Sequence, residues 1–343
     1  MKRFLSLTTG LLLAGMATAN DLPQAEKVAY SDGVQITGVT VSESARVFVN
    51  APNWRDGVPY AVAEVNPSTN AFTPYPDEKA NRCVADSKPA DDCFLAVQSV
   101  VAHDNKLYVL DTRNPKLKQV VDTPRIFVVD LSSNAITDVL MLAEDAYHSD
   151  SYINDLRVDD ETQRIYLTDS NHPGLVVYNL NDDTSYRILD GLASTTAEVA
   201  GINVAGTPVN MTIHSDGIAL DSRNRTLYFH ALSGYTLYSI NTSDIKQGKT
   251  TGKHVRAISQ TGAPDGMIYD GEGNLYLADL EHHKVQYLTP SLDLRTLVEG
   301  DAVSWADTFS IHEDYLYYTN SKIQHAGQDV TDMEFEIYRV PLP

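Results

Sequence analysis

Six times along this chain a short strand leads through a tight turn into a second strand, and no long helical pattern interrupts the series. The clearest copy is residues 264–288. Pro-Asp-Gly-Met-Ile-Tyr-Asp leads through Gly-Glu-Gly-Asn into Leu-Tyr-Leu-Ala-Asp, and past His282 and His283 into Lys-Val-Gln-Tyr-Leu. Gly271 and Gly273 supply the backbone freedom that such a turn needs. The other copies begin near residues 38, 99, 155, 216 and 308, and their second strands align on Val47, Leu107, Ile165, Leu227, Leu275 and Leu316. The spacings between these anchors are 60, 58, 62, 48 and 41 residues. Period-two alternation rich in β-branched and aromatic residues predicts strands. A strand motif repeated at this length predicts the blades of a propeller, here an all-β, six-bladed β-propeller with one central channel. The lead-in before Thr37 is expected to add an outer strand to the blade that ends near Val340, so that the ring closes and leaves no free sheet edge.

The first residues read as a secretory signal. Lys2 and Arg3 form a basic start, Phe4 to Met16 are mostly apolar, and Ala17-Thr18-Ala19 is a cleavage sequence of the Ala-x-Ala kind. The expected organisation is a signal peptide over residues 1–19 and one propeller domain over 20–343, exported to the periplasm or secreted. The apolar run is too short to span a membrane comfortably, so no membrane insertion is expected of the mature chain. Of 343 residues, 43% are hydrophobic, which suffices for a sizeable core. Lys and Arg total 26 against 46 Asp and Glu, a formal charge of −20, which argues against nucleic acid as a partner. A monomer is expected. The two cysteines, Cys83 and Cys93, fall in a loop-like stretch and are expected to form one structural disulfide in an oxidising compartment.

In a propeller the starts of the innermost strands ring the channel. Here those positions are Thr37, Gln98, Asn154 with Asp155, Ser215 with Asp216, Asp265, and Asp307. Four of the six starts carry a carboxylate. Oxygen-rich convergence of this kind suits a divalent cation (calcium, magnesium, manganese or zinc) or a small polar molecule. Each residue alone also has a plainer reading, because Asp-Gly pairs such as Asp216-Gly217 form turns and strand-end Asp residues cap local amides. Trp305 beside a channel start is a candidate to stack on a ligand, and His172, His214 and His230 are nearby imidazoles. There is no Gly-x-Ser-x-Gly elbow, no His-Glu-x-x-His and no phosphate-binding glycine loop, and no organic cofactor is expected.

The stretch Gln-Ser-Val-Val-Ala-His-Asp-Asn-Lys-Leu-Tyr-Val-Leu-Asp (98–111) resembles the major royal jelly/yellow protein family. So do Pro-Arg-Ile-Phe-Val-Val-Asp-Leu (124–131), the run from Asn154 to Ser170, Gly-Leu-Val-Val-Tyr-Asn-Leu (174–180) and Asp-Gly-Ile-Ala-Leu (216–220). In order they cover most of the mature chain, which looks like a bacterial member. That family is similar in fold to the gluconolactonase and senescence-marker-protein propellers, which Pro-Asp-Gly-Met (264–267) resembles in particular.

Those lactonases hold a divalent metal through a Glu, two Asn-type positions and an Asp. The resemblance therefore implies Asn154, Asp216 and Asp265 as metal ligands, with Asp265 also the catalytic base, and puts Thr37 where the Glu belongs. Gln98, Asp155, His172, His230, Trp305 and Asp307 are the expected ligand-binding residues. The implied reaction is metal-assisted hydrolysis of a sugar-type lactone. The alternative is a non-catalytic binder of a small molecule such as an amine, as yellow relatives imply, with a tautomerase or isomerase activity third.

Overall fold

The computed structural model describes residues 22–86 and 89–343; the expected signal peptide lies outside the described residues. Six four-stranded antiparallel sheets follow one another around a common axis. Their innermost strands are Gly38–Val41, Val97–His103, Ile153–Asp159, Ser215–Asp221, Met267–Tyr269 and Ala306–His312. The sixth sheet is completed by Glu26–Asp32, which pairs antiparallel with Glu334–Pro341, so the chain closes its ring with the expected lead-in. Among the described residues no helix is long and apolar enough to cross a membrane.

Burial explains why these segments settle as strands. The second strand of the second blade, Lys106–Asp111, is buried at every residue after the first, whereas the outer strand Ala135–Met141 is largely exposed. Apolar cores therefore form between neighbouring blades. Tyr108, Leu110 and Ile126 of the second blade pack on Ile153, Leu156 and Leu167 of the third. Tyr166 and Val177 of the third pack in turn on Ile218 and Phe229 of the fourth.

Side chains at the ends of second strands tie three of the blades to the next. Thr168 Oγ1 donates to the Asp216 carbonyl (2.9 Å) and Asn50 Nδ2 to the Gln98 carbonyl (3.2 Å). Thr319 Oγ1 donates to the Thr37 carbonyl across the closure.

Two features depart from the sequence reading. Cys83 lies not in a loop but in the helix Glu78–Asp86, whose start is capped by Asp77 Oδ1 accepting from the Ala80 amide at 2.7 Å. Ala80, Cys83 and Val84 form its buried side, and Cys83 is bonded to Cys93. A small hairpin, Ile202–Val204 with Thr207–Val209, stands outside the blades, on the face where the innermost strands begin.

Candidate functional site in the central channel

The inner strands do not simply begin at the axis; in four of six blades they bulge there. The pairing register slips between Val97 and Ser99, between Ile153 and Leu156, between Ser215 and Ile218, and between Ala306 and Phe309. The residues left out of register are Gln98, Asn154 with Asp155, Asp216 with Gly217, and Asp307 with Thr308. A bulge turns a side chain away from the regular pleat, and here it aims polar groups at the channel.

Glycines bring three of these starts into contact. A Cβ on Gly217 would sit 2.8 Å from the Asp265 carbonyl oxygen, and one on Gly266 would sit 2.4 Å from that of Asp307. Without those side chains, the fourth, fifth and sixth blades meet backbone against backbone. The Asp-Gly pairs are thus close-approach positions at the axis. Asp216, Asp265 and Asp307 stand as neighbours, with only 5, 8 and 7% of their surfaces exposed.

The three carboxyls floor a cavity of about 750 Å³ that also takes in Gln98, Asn154 and Trp305. Its upper wall mixes apolar side chains, Trp54, Leu117, Met211, Ile213 and Ile323, with polar ones, Asn114, Asn171, Asn210, Thr212 and Gln324. Tyr152 lines the floor's edge, donating its hydroxyl to Gln98 Oε1 at 2.6 Å and accepting from Trp54 Nε1 at 2.7 Å. Trp305 is fully buried, and its Nε1 donates to Asp265 Oδ2 at 2.6 Å, so it orients a carboxylate and presents no free face for stacking.

Burial raises the Asp216 carboxyl well above the usual carboxylate range, and the neighbouring Asp265 and Asp307 push it further. Asp265 is pushed up to about 7, chiefly by burial, while the Trp305 N–H pulls it back. Asp307 is likewise raised well above its ordinary value, by burial and then by Asp265. The described residues that line this cavity include no Lys, Arg or His, and the nearby Asp155 carboxylate pushes all three up further. The nearby Arg157 is committed elsewhere: Nη1 binds Asp155 Oδ2 (2.9 Å), and Nη2 crosses the axis to the Met267 carbonyl (2.7 Å).

Several expected ligand residues lie elsewhere. Asp155 does not line the cavity; its oxygens accept from Ser99 Oγ (2.7 Å) and from Arg157, because the two-residue bulge sends it away from Asn154. His230 is fully buried, with Nδ1 donating to the Ala231 carbonyl (2.7 Å) and Nε2 2.9 Å from the Thr261 hydroxyl. His172 sits at the surface, stacked on His148 with ring centroids 3.6 Å apart and Nδ1 3.3 Å from Asp150. Burial lowers the His214 pKa, and its Nδ1 accepts from the Ala197 amide. Sequence reasoning missed Tyr152 and Trp54, and with them the loop residues of the upper wall. Only the position of Tyr152 beside Asn154 hinted at a role.

The donor set for a metal is incomplete. Thr37 is fully buried, its hydroxyl accepts from Asn50 Nδ2 (3.0 Å), and it does not line the cavity. Among the described residues no three His, Cys, Asp or Glu side chains are grouped as metal ligands. An ion here would take at most two carboxylates, Asp216 and Asp265, with the Asn154 amide oxygen.

Known proteins share this architecture. The luciferin-regenerating enzyme superposes with a TM-score of 0.60 at 14% identity, covering 93% of this chain and 95% of its own. A gluconolactonase from Xanthomonas campestris gives 0.58 at 13% identity, covering 95% and 96%. At such identities these likenesses concern the fold alone. In sequence, the chain is similar to Protein yellow of Drosophila erecta, 25% identical over 236 residues, 60% of this chain and 41% of that protein. The chain thus spans about two-fifths of that relative's length. The sequence profile described as Major royal jelly protein matches residues 96–341, from the second blade through the last strand of the ring, and by that match the chain belongs to the major royal jelly protein family.

Proposed function

We propose that this protein binds a small organic cation, an amine with an apolar body, in its central cavity. The observation that carries this reading is the trio Asp216, Asp265 and Asp307, buried together in a cavity whose described lining has no Lys, Arg or His and includes the large apolar side chains Trp54, Leu117 and Met211. Buried carboxylates of this kind are unfavourable unless a cation or proton compensates them. An ammonium group supplies both charge and donors, and Trp54, Leu117 and Met211 receive the rest of the ligand. A cavity of about 750 Å³ suits a ligand the size of an aromatic amine. The Cys83–Cys93 disulfide fits an oxidising, exported setting.

A second reading keeps the lactone hydrolase, favoured by the convergence of Asn154, Asp216 and Asp265 on one cavity. A divalent cation held by these three would polarise a lactone carbonyl and activate water. The sequestered Thr37, which leaves the metal's donor set short of a side chain, favours the amine over this reading.

Titration calorimetry of the purified protein with 2-phenylethylamine, beside metal analysis and a lactone-hydrolysis assay, separates the two. The expected outcome is saturable amine binding weakened roughly tenfold or more in Asp216→Asn. Stoichiometric metal, lactone turnover abolished in Asp265→Ala and no amine binding would overturn it.

A further inference from the structure

We propose that Gln98 selects for an amine that also carries a hydrogen-bond-accepting oxygen, such as a carbonyl, at the end remote from its nitrogen; the inference rests on the amine reading above. Gln98 is held in one orientation by its neighbours. The Trp54 indole N–H can only donate, and it donates to the Tyr152 hydroxyl at 2.7 Å. That hydroxyl therefore keeps its own proton to give, and gives it to Gln98 Oε1 at 2.6 Å. Burial raises the Tyr152 pKa, so the proton stays in place. With the carbonyl end of the Gln98 amide taken up in this way, the end left over is its NH2 group.

That NH2 group has no acceptor among the described residues, and the fold does not seal it. Gln98 keeps 8% of its surface and lines the cavity, and Nε2 is not one of the buried side-chain atoms left without a partner. Two other amides of the cavity are closed to a ligand. Asn114 Nδ2 donates to the Ser151 carbonyl (3.0 Å) and Gln324 Nε2 to the Ser304 hydroxyl (2.7 Å), and the side-chain oxygen of each is sealed. Water can serve the Gln98 donors while the cavity is open. A ligand that displaces this water with an apolar group leaves them unpaired.

The position of Gln98 in the ring makes the favoured ligand bipolar. The inner strands adjoin one another in chain order, so the second blade, which carries Gln98, faces the fifth, which carries Asp265, across the axis. Asp216 and Asp307 flank Asp265 from the fourth and sixth blades, and Asp216 and Asp265 are hydrogen-bonded to each other. One side of the cavity is thus acidic and the opposite side presents N–H donors. An ammonium seated on the acidic side directs the body of the ligand towards Gln98. An accepting oxygen at the far end gains a hydrogen bond there and a methyl group forfeits it, roughly a five- to tenfold difference in affinity.

The test uses the whole protein and two probes of matched shape, the 4-acetyl and 4-isopropyl derivatives of 2-phenylethylamine, titrated by calorimetry into wild type, Gln98→Leu and Tyr152→Phe. Circular dichroism reports whether each variant folds. Wild type is expected to bind the acetyl probe roughly fivefold or more tightly than the isopropyl probe. Gln98→Leu is expected to lose this preference by weakening the acetyl probe. Tyr152→Phe, which frees the amide to turn, is expected to lose most of it, whereas a general packing defect would weaken both probes alike. Equal affinity of wild type for the two probes overturns the proposal and leaves the amine reading standing. So does either variant, folded, that keeps the full preference. Should neither variant fold, the wild-type ratio decides alone. Failure of both probes to bind wild type at millimolar concentration overturns the proposal together with the amine reading.

Discussion

Trp305 Nε1 donates to Asp265 Oδ2 at 2.6 Å, joining the start of the sixth blade to the start of the fifth. Trp305→Phe removes this donor and leaves the carboxylate more poorly compensated, so the Asp265 pKa rises further. The expected result is a loss of roughly 1–3 kcal/mol in stability at neutral pH, together with weaker amine binding. Denaturant unfolding and calorimetry on the same preparations check both.

Asp216→Asn should act in the opposite direction on the ligand-free protein. The folded state raises the Asp216 pKa, so its contribution to stability is present at acid pH and is lost as pH rises through the raised value. A neutral amide of the same shape removes that loss. The variant is expected to be about 1–2 kcal/mol more stable than wild type at pH 7.5, with the gain shrinking by pH 4.5, while amine binding falls. Paired denaturation curves at the two pH values decide it. A variant less stable at pH 7.5 would contradict the view of the trio as uncompensated.

His230 predicts the reverse slope. Burial lowers its pKa from 6.5 to about 4. Its contribution to stability is therefore complete above the ordinary histidine pKa and is lost as pH falls from there towards 4, roughly 3 kcal/mol in all. His230→Gln should flatten the stability curve between pH 7 and 4 relative to wild type. The difference between the two curves is the quantity to read, because the carboxyl trio contributes with opposite sign over the same range.

Thr168 joins the third blade to the fourth, its hydroxyl donating to the Asp216 carbonyl and accepting from the Asp155 amide at 3.2 Å. Thr168→Val keeps the shape and leaves both buried backbone groups without that partner. A cost of about 1–3 kcal/mol is expected, against a few tenths for Thr137→Val on the largely exposed outer strand. Urea midpoints of the two variants provide the comparison.

Cys83 and Cys93 enclose a short loop at the edge of the second blade. Replacing both with Ser should lower stability by about 2–3 kcal/mol and leave amine affinity within roughly twofold, because neither residue lines the cavity. Thermal melting and calorimetry of the double variant test this.

The blades were legible because each needs the same local sequence, an apolar alternation broken by a turn. The closing strand was legible because a ring needs a partner for Glu334–Pro341. The axis positions of Asp216, Asp265 and Asp307 followed from that repeat. What the repeat could not convey was the bulge. Whether Asn154 or Asp155 faces the cavity depends on one slip in register that leaves no mark in hydrophobic patterning. For the same reason Gly217 and Gly266 read as turn residues, although the backbone of the next blade occupies the space beside them. The upper wall lay beyond reach because it comes from loops of unrelated sequence around Trp54, Leu117, Met211 and Ile323, brought together by the ring of blades.

That closure places a demand on folding. Glu26 finds Arg339 as its partner across more than three hundred residues, and nothing nearer in the chain can complete the sixth sheet. As synthesis proceeds from the amino terminus, strand Glu26–Asp32 must wait, unpaired, until nearly all the rest has emerged. The six-bladed ring is therefore the last thing to form, and with it the cavity. A nascent or truncated chain can hold several well-packed blades and still have no site for a ligand.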